Sequence, residues 1–308
     1  MTGTTAGARS RPFGRVITAM VTPFDAAGAV DLDAAAALAH HLVHEQANDA
    51  LVISGTAGES PTTTDAEKAA LVRAVADAVA GRAQVVAGVG TFDTAHTLHL
   101  AEDAAKAGAD ALLVVTPYYS KPQQSGLLAH FRAVADSSDL PVMLYDIPHR
   151  TGVAIAADTM RRLAEHPRIV AVKDAAGDVV ASSALIAQTG LAYYCGDDAL
   201  TLPLLSVGGV GVVGTSTHFS GAATAAMITA YERGDVEAAR TAHVRLLPIY
   251  RGIFAAPGVV LVKAGLALLG RPVGGLRPPL VEATEAQVAA LRADLEAAGL
   301  PSGPLPAG

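Results

Sequence analysis

One lysine of this chain lies where lysines are rarely found. Lys173 ends the apolar run Ile169–Val172, which has the composition of a strand buried on both faces. Burial penalises a charged ammonium and favours the neutral amine, which can attack a carbonyl carbon and form an imine. An ion pair with Asp174 is the alternative role for the same side chain. Of the five lysines, only Lys173 ends a predicted strand.

Polar side chains also follow several other predicted strands. They lie in the segments Gly55–Ser60, Thr116–Tyr119, Tyr145–Arg150 and Cys195–Asp198. In a barrel of parallel strands these ends meet at one rim, where the active sites of such barrels lie. We therefore expect them to share a site with Lys173, with Tyr145 as a proton carrier and Arg150 as a carboxylate binder.

The segment Gly55–Ser60, with the sequence GTAGES, is a glycine-containing turn between a strand and a helix. Its N–H groups and hydroxyls could hold a small anion such as a carboxylate. The segment lacks the Gly-Lys-Ser/Thr ending of a nucleotide phosphate loop. A turn that needs glycine only for its backbone conformation is the alternative interpretation.

Three weaker patterns indicate other chemistry. Gly209–Gly214 matches G-x-G-x-x-G, but its glycines lie inside the last predicted strand, so an NAD(P)-dependent oxidoreductase remains a remote alternative. The histidine pairs 40/44 and 96/99 have helical spacing without an H-E-x-x-H pattern, so no metal site is predicted. Cys195 has no identifiable base partner, which favours a buried or rim thiol over a nucleophile.

Eight short apolar runs, rich in β-branched residues, alternate with Ala/Leu-rich segments of helical period. They are 15–21, 50–54, 84–87, 111–115, 141–145, 169–172, 192–194 and 210–213. Each strand and its following helix take about 18 to 35 residues, the spacing of βα units in a covered parallel sheet. The sequence therefore predicts the α/β class and a (β/α)8 TIM barrel with a C-terminal helical extension.

The pattern changes after residue 232. Three helical stretches follow, near 235–254, 258–269 and 284–298, and Pro/Gly-rich segments divide them. We predict an N-terminal arm at 1–14, a catalytic barrel at 15–232, a C-terminal helical domain at 233–300 and a frayed tail at 301–308.

Composition excludes several classes of protein. The 308 residues are 51% hydrophobic and 17% charged, with a net charge of −7. This acidic balance without a basic cluster disfavours nucleic-acid binding. No apolar run approaches the roughly 20 residues that a membrane span needs. A single cysteine and the lack of a secretory signal predict a cytoplasmic protein.

Five motifs, in order, resemble one family. GTAGES, VTPYYSKP, LYDIPHRTG, VKDAAGD and YYCGDDAL are spread over a region from about Gly14 to Leu300. Together they resemble the pyruvate-dependent class I aldolases, a family that includes dihydrodipicolinate synthases and N-acetylneuraminate lyases. Arg150 favours the dihydrodipicolinate synthase branch, because the sialic-acid lyases typically lack an arginine there.

The resemblance implies a mechanism for the chain. Lys173 would form an imine with pyruvate, and Tyr145 would be the general acid/base. Thr56 and Tyr119 would complete a proton relay with Tyr145, with Tyr119 reaching in from a neighbouring subunit. The expected reaction is the condensation of pyruvate with L-aspartate 4-semialdehyde to 4-hydroxy-tetrahydrodipicolinate, a carbon–oxygen lyase step of lysine and diaminopimelate biosynthesis.

The resemblance also implies binding roles. The turn with Thr56 and Ala57 would hold the pyruvate carboxylate, Arg150 would bind the carboxylate of the semialdehyde, and Gly196 and Val213 would contact the substrates. No cofactor or metal is expected, because the protonated imine is itself the electron sink. The family implies a homotetramer built from two tight dimers.

The chain departs from the family pattern at several positions. Ala57 replaces a threonine, Gly214 a serine, Asp146 a frequent asparagine and Asp174 a glutamate. Ala57 and Gly214 keep open a second function, another pyruvate-dependent aldolase or dehydratase that acts on a different aldehyde or keto sugar acid. A catalytically dead barrel kept for interactions is disfavoured, because the four implied catalytic side chains are present.

Lysine-inhibited members of the family bind lysine with two histidines, an asparagine and a glutamate. The corresponding positions here are Asp65, Lys68, Phe92 and His96. The resemblance therefore predicts weak or absent inhibition by lysine.

Overall fold

Eight parallel strands form a closed barrel in which each strand pairs with its neighbours in chain order and β8 pairs with β1. The computed structural model describes residues 10 to 302. The strands are β1 Val16–Ala19, β2 Ala50–Ile53, β3 Gln84–Gly88, β4 Ala111–Val115, β5 Val142–Asp146, β6 Ile169–Asp174, β7 Ala192–Cys195 and β8 Gly211–Gly214. The predicted TIM barrel is confirmed, and each predicted strand agrees with the observed one to within two residues.

The strands form where they do because both of their faces are covered. Every residue of β1, β2, β7 and β8 is buried. Successive side chains of a strand face the barrel interior and the surrounding helices in turn. Both faces are covered, so a continuous apolar run is favoured over alternating apolar and polar residues. Burial on both faces made these strands recognisable in the sequence.

Twelve helices surround and extend the barrel. They are α1 Leu32–His44, α2 Asp65–Val79, α3 Thr94–Lys106, α4 Gln124–Asp136, α5 Pro148–Thr151, α6 Ala157–Ala164, α7 Val179–Thr189, α8 Thr201–Ser206, α9 Thr217–Glu232, α10 Val236–Gly252, α11 Gly258–Leu268 and α12 Glu285–Ala297. A capping box begins α2, with Thr64 and Glu67 each bonded to the other's backbone. The side chain of Asp31 caps the start of α1 by accepting from the Ala34 N–H.

The glycine run Gly209–Gly214 closes the barrel. A Cβ atom on Gly211 would lie 2.3 Å from the carbonyl oxygen of Arg15, just before β1. Glycine is therefore required for the close approach of β8 to β1. The run does not form the strand, turn and helix of a dinucleotide site, so the oxidoreductase alternative has no structural basis here.

The last three helices form a layer beside the barrel. Helix α10 packs against α9 and α12, and α11 packs against α12. Their positions confirm the predicted helical stretches, while the division of the chain into domains stays a prediction. Residues 1–9 and 303–308, which include most of the predicted arm and tail, lie outside the described residues. Within 10–302, no helix is long and apolar enough to cross a membrane.

Candidate active site

Lys173 and Tyr145 lie side by side at the carboxyl ends of β6 and β5. They are register partners in the sheet, and each is 5% exposed. The Nζ atom of Lys173 lies 4.2 Å from the centroid of the Tyr145 ring. The amine of Lys173, if it reacts with a carbonyl group, therefore has a phenol side chain next to it.

The alternative role for Lys173, an ion pair with Asp174, is not realised. Asp174 accepts a hydrogen bond from the Ser182 hydroxyl and another, of 3.0 Å, from the Ala176 N–H. Among residues 10 to 302, no carboxylate lies within ion-pair distance of Lys173. The burial predicted from the sequence is present, and it is not offset by a counter-charge.

A cavity of about 940 Å³ opens in front of these two side chains. Its wall brings together six of the predicted site residues, namely Thr56, Ala57, Tyr145, Arg150, Lys173 and Gly196. The cavity is large enough for two small substrates at once. The convergence of strand ends predicted from the sequence is therefore observed for these six.

The turn after β2 leaves two N–H groups free at the cavity. Gly58 N–H and Ser60 N–H donate to the Gly55 carbonyl oxygen, and Glu59 N–H donates to that of Thr56 at 3.2 Å. In the described part of the chain, the N–H groups of Thr56 and Ala57 have no acceptor. Neighbouring free N–H groups of this kind suit a carboxylate. The alanine at position 57 retains the backbone donor that a threonine would offer.

Arg150 and Gly196 lie on other parts of the cavity wall. Arg150 belongs to the short helix α5 and is exposed, and no acidic side chain among the described residues pairs with it. Its guanidinium is therefore available to a carboxylate ligand. Gly196 donates its N–H to the Asp174 carbonyl oxygen at 2.7 Å, and a Cβ atom there would lie 2.9 Å from that of Ala175.

Two predicted site residues are not in the cavity wall. Tyr119 is 93% exposed, with a φ angle of 73°, in the segment between β4 and α4. Val213 is buried within β8. In the single chain, as far as it is described, Thr56, Tyr119 and Tyr145 share no hydrogen bond, so one protomer does not contain the predicted relay.

Asp146 follows Tyr145 along β5 and is itself buried. Burial, with a further contribution from the charge of Asp174, raises the pKa of the Asp146 carboxyl to about 7, although the Ile155 N–H opposes this shift. Alternate residues of a strand face opposite sides, so this carboxyl does not share the surroundings of Lys173.

Space is limited around Gly214, which stands where the family pattern has a serine. A Cβ atom there would lie 2.7 Å from both the Oδ1 atom of Asp198 and the Cγ2 atom of Thr217. These two side chains fill the space. Cys195 is buried, which is one of the two positions predicted for it, a buried thiol or a thiol at the barrel rim. Burial raises the pKa of its thiol.

Sequence reasoning missed the far wall of the cavity. It comes from the end of α10, the start of α11 and the segment before α12, through residues that include Tyr250, Arg251, Phe254, Val259 and Leu280. No local motif marks them, because they reach the cavity only through the packing of the C-terminal helices on the barrel. Within 10–302, no group of three or more potential ligand side chains could hold a metal ion.

The sequence analysis singled out one buried lysine, and the structure contains a second. Lys263 on α11 is 3% exposed, and its Nζ atom lies 2.8 Å from the Oε1 atom of Glu59. No sequence pattern indicates this pair, because its members are far apart in the chain and lie in a turn and an apolar helix.

Known proteins resemble this chain along nearly all of its length. Residues 12–298 match the family model described as "Dihydrodipicolinate synthetase family". The chain is 65% identical over 295 residues to a protein of Acidothermus cellulolyticus named 4-hydroxy-tetrahydrodipicolinate synthase, covering 96% of each chain. It is 59% identical over 305 residues to a protein of the same name from Kineococcus radiotolerans, covering 98% and 99%.

Solved structures also resemble the chain. A dihydrodipicolinate synthase from Bacillus anthracis superposes with a TM-score of 0.90 at 41% identity, covering 92% of this chain and 98% of that one. The enzyme from Cyanidioschyzon merolae, solved with lysine bound, gives 0.91 at 45% identity, covering 94% and 99%. With the barrel, the strand-end cavity and a match across residues 12–298, the chain belongs to the dihydrodipicolinate synthetase family.

Proposed function

We propose that this protein condenses pyruvate with L-aspartate 4-semialdehyde to form 4-hydroxy-tetrahydrodipicolinate, as a lyase of lysine and diaminopimelate biosynthesis in the cytoplasm. One observation carries the chemistry: Lys173 is buried at a cavity, has no carboxylate partner among residues 10–302, and its Nζ atom lies 4.2 Å from the centroid of the Tyr145 ring. The names of relatives at 59% and 65% identity support the choice of substrates.

The reaction begins with an imine. The neutral amine of Lys173 attacks the C2 carbonyl carbon of pyruvate, and the carbonyl oxygen leaves as water. Tyr145 supplies and removes the protons at this step, in relay with Thr56 and with Tyr119 of a second subunit. The protonated imine draws electrons from the methyl group, which loses a proton to give the enamine.

The enamine carbon then attacks the aldehyde carbon of the semialdehyde, and the aldehyde oxygen takes up a proton. The amino group of the bound semialdehyde adds to the imine carbon, closes the ring and displaces the Lys173 amine. The N–H groups of Thr56 and Ala57 hold the pyruvate carboxylate, and the Arg150 guanidinium holds that of the semialdehyde. The Gly196 carbonyl group contacts the second substrate, and Val213 acts from β8 as packing behind the site.

A second subunit would supply Tyr119. Tyr119 directly follows Tyr118, whose ring meets that of Phe92 edge to face at 5.6 Å, and Phe92 is 62% exposed. An exposed aromatic cluster of this kind suits a protein interface. We propose a tight dimer through this surface, and two such dimers in a homotetramer. Sedimentation would test the tetramer directly.

Borohydride reduction in the presence of pyruvate, followed by peptide mass mapping, tests the mechanism. The wild-type protein is expected to gain one reduced pyruvate adduct on the Lys173 peptide, and the Lys173→Met variant none. If the wild-type protein gains no adduct at Lys173, the Schiff-base mechanism is wrong. If the adduct forms but another aldehyde is turned over faster than aspartate semialdehyde, the second aldolase function replaces this one.

Arg150→Ala tests the second substrate. The variant is expected to form the pyruvate adduct at the wild-type rate while kcat/KM for the semialdehyde falls about 100-fold, the effect of losing a charged hydrogen bond. Arg240→Ala is the matched control, because Arg240 is exposed on α10 and pairs with Glu237. Unchanged semialdehyde kinetics in Arg150→Ala would remove this role.

A further inference from the structure

The pair formed by Glu59 and Lys263 lies outside the proposed chemistry, yet it is among the most buried charge pairs possible. Both side chains are 1% exposed, and the Nζ and Oε1 atoms are 2.8 Å apart. The Lys263 ammonium also donates to the Gly275 carbonyl oxygen at 2.6 Å and lies 4.2 Å from the centroid of the Phe24 ring. Burying two charges costs free energy that this geometry has to offset.

The other oxygen of Glu59 binds the chain beyond α11. Its Oε2 atom accepts the Arg277 N–H at 3.0 Å. The Arg277 side chain pairs with Glu67 at 2.6 Å and donates to the carbonyl oxygens of Gly28 and Thr62. Glu59, Lys263 and Arg277, called here the Glu59 clamp, therefore join the turn after β2 to the C-terminal segment at two points.

The clamp acts on the peptide unit between Thr56 and Ala57, whose N–H group can donate a hydrogen bond to a carboxylate. The Thr56 carbonyl and the Ala57 N–H belong to one planar trans peptide, so they point in opposite directions. The Glu59 N–H holds the Thr56 carbonyl oxygen at 3.2 Å. The position of the Glu59 backbone therefore fixes the direction of the Ala57 N–H at the cavity.

Glu59 also has a backbone conformation that its side chain must maintain. Its φ angle is 54°, in the left-handed region that non-glycine residues seldom adopt. Such a conformation persists where the surroundings over-determine it. The contacts of its carboxylate with Lys263 and Arg277 supply that constraint from the far end of the chain.

We propose that the Glu59 clamp positions the free N–H groups of Thr56 and Ala57 for the carboxylate of the keto acid. This inference rests on the proposed function, because it assigns the carboxylate of pyruvate to this turn. It makes Glu59, Lys263 and Arg277 positioning residues that act through the turn. Glu59 itself lies in the cavity wall, and its carboxylate is bound to Lys263 and to the Arg277 N–H. It also gives the C-terminal helices a part in substrate recognition besides covering the barrel.

The test compares two ketones in borohydride trapping on Lys173. Pyruvate carries the carboxylate, and hydroxyacetone is a methyl ketone of similar size without it. The ratio of their trapping rates measures how well the turn recognises the carboxylate, and it does not depend on the fraction of protein that is folded. In Glu59→Gln and Lys263→Met we expect the ratio to fall about 10-fold or more, the effect of a small misplacement.

The double variant Glu59→Gln/Lys263→Met keeps the test decisive if a single variant unfolds. It leaves neither a buried carboxylate nor a buried ammonium without a partner, so it is expected to fold. A purely structural pair predicts that the double variant regains the wild-type ratio along with its stability. The clamp predicts that stability returns while the ratio stays low.

Arg240→Met is the control, because it breaks an exposed ion pair on α10 and should leave the ratio unchanged. A wild-type ratio in the double variant would overturn the inference while the wild-type pyruvate adduct still supports the proposed function. If the wild-type protein forms no adduct on Lys173, both fail together.

Discussion

Two lysines of this chain are equally buried and have opposite surroundings. Lys173 ends strand β6 at the cavity, and no carboxylate in the described part of the chain pairs with it. Lys263 lies in helix α11 and contacts Glu59 at 2.8 Å and the Gly275 carbonyl oxygen at 2.6 Å. The Nζ atom of each lysine also lies 4.2 Å from the centroid of one aromatic ring, that of Tyr145 for Lys173 and that of Phe24 for Lys263.

Under the proposed mechanism, the comparison implies that burial alone does not make a lysine reactive. Burial lowers the pKa of Lys263, and the Glu59 carboxylate opposes this by stabilising the charged form. An ammonium held by a carboxylate and a carbonyl has no lone pair to offer. The amine of Lys173 has neither partner, and its neighbour is a phenol that can exchange protons. The partners of the nitrogen, and not its exposure, separate a nucleophile from a structural charge.

The largest difference between the two lysines should appear when Lys173 is replaced. Lys173→Met is expected to lower kcat/KM by at least about 10³-fold, because the covalent intermediate cannot form. The variant should melt at or above the wild-type temperature, because it removes a buried amine that has no counter-charge. Steady-state kinetics and thermal unfolding check both halves. A loss of stability would show that Lys173 has a structural partner.

Lys263→Met should give the reverse result for stability. It leaves the buried Glu59 carboxylate without its ammonium, which is expected to lower the free energy of unfolding by about 3–5 kcal/mol. Chemical denaturation of the variant beside Lys173→Met measures this difference. If both variants are equally stable, the contrast drawn from their partners is wrong.

Asp146→Asn extends the comparison to a buried carboxyl group that lies next to Tyr145 along β5 but on the opposite face of the sheet. The pKa of Asp146 is raised to about 7 in the folded protein, which means that ionisation of this carboxyl opposes folding. The loss of unfolding free energy that this causes grows as the pH rises from about 3.8 through about 7. Above that window the variant should be more stable than the wild-type protein by about 2–4 kcal/mol. At pH 4 the two should be nearly equal.

Unfolding free energies measured across this range test the prediction. Asp158→Asn is the control, because Asp158 is an exposed carboxylate on α6. An Asp146→Asn variant that gains nothing at high pH would mean that a positive charge compensates Asp146 after all.

The smallest expected effect concerns a free lysine molecule. At the positions where related proteins bind lysine, Asp65 and His96 already pair with each other at 2.9 Å. The Lys68 amine nearby donates a hydrogen bond to the Thr63 carbonyl oxygen. A second ammonium brought by the ligand would meet this charge. We expect less than half-inhibition at submillimolar lysine in an initial-rate assay. Half-inhibition in that range would refute the prediction.

Local patterns were enough to predict the strands and the position of Lys173 at the end of one of them. The run Ile169–Val172 is apolar on both faces, so its place in a covered sheet followed from composition, and Lys173 at its end followed from the geometry of parallel barrels. The capping box of Thr64 and Glu67 was likewise visible within four residues. The match of five ordered motifs added the roles that geometry alone left open.

Contacts between distant parts of the chain could not be predicted in this way. The sequence around Lys263 is that of an apolar helix, and nothing near it indicates a carboxylate in a turn about 200 residues earlier. The Pro/Gly-rich segment that contains Gly275 and Arg277 was interpreted as a divider between helices, and it proves to hold the turn after β2. Such contacts depend on how the C-terminal layer packs, which hydrophobic periodicity does not specify.

The Glu59 clamp has a consequence for the protein during its synthesis on the ribosome. Ribosomes synthesise the chain from its N-terminus, so the turn at Thr56 and Ala57 emerges long before its anchors at Lys263 and Arg277. A nascent chain can carry Tyr145 and Lys173 on nearly complete strands and still lack a fixed carboxylate turn. Under the proposed role of the clamp, full recognition of the keto acid then begins only when almost the whole sequence has been translated.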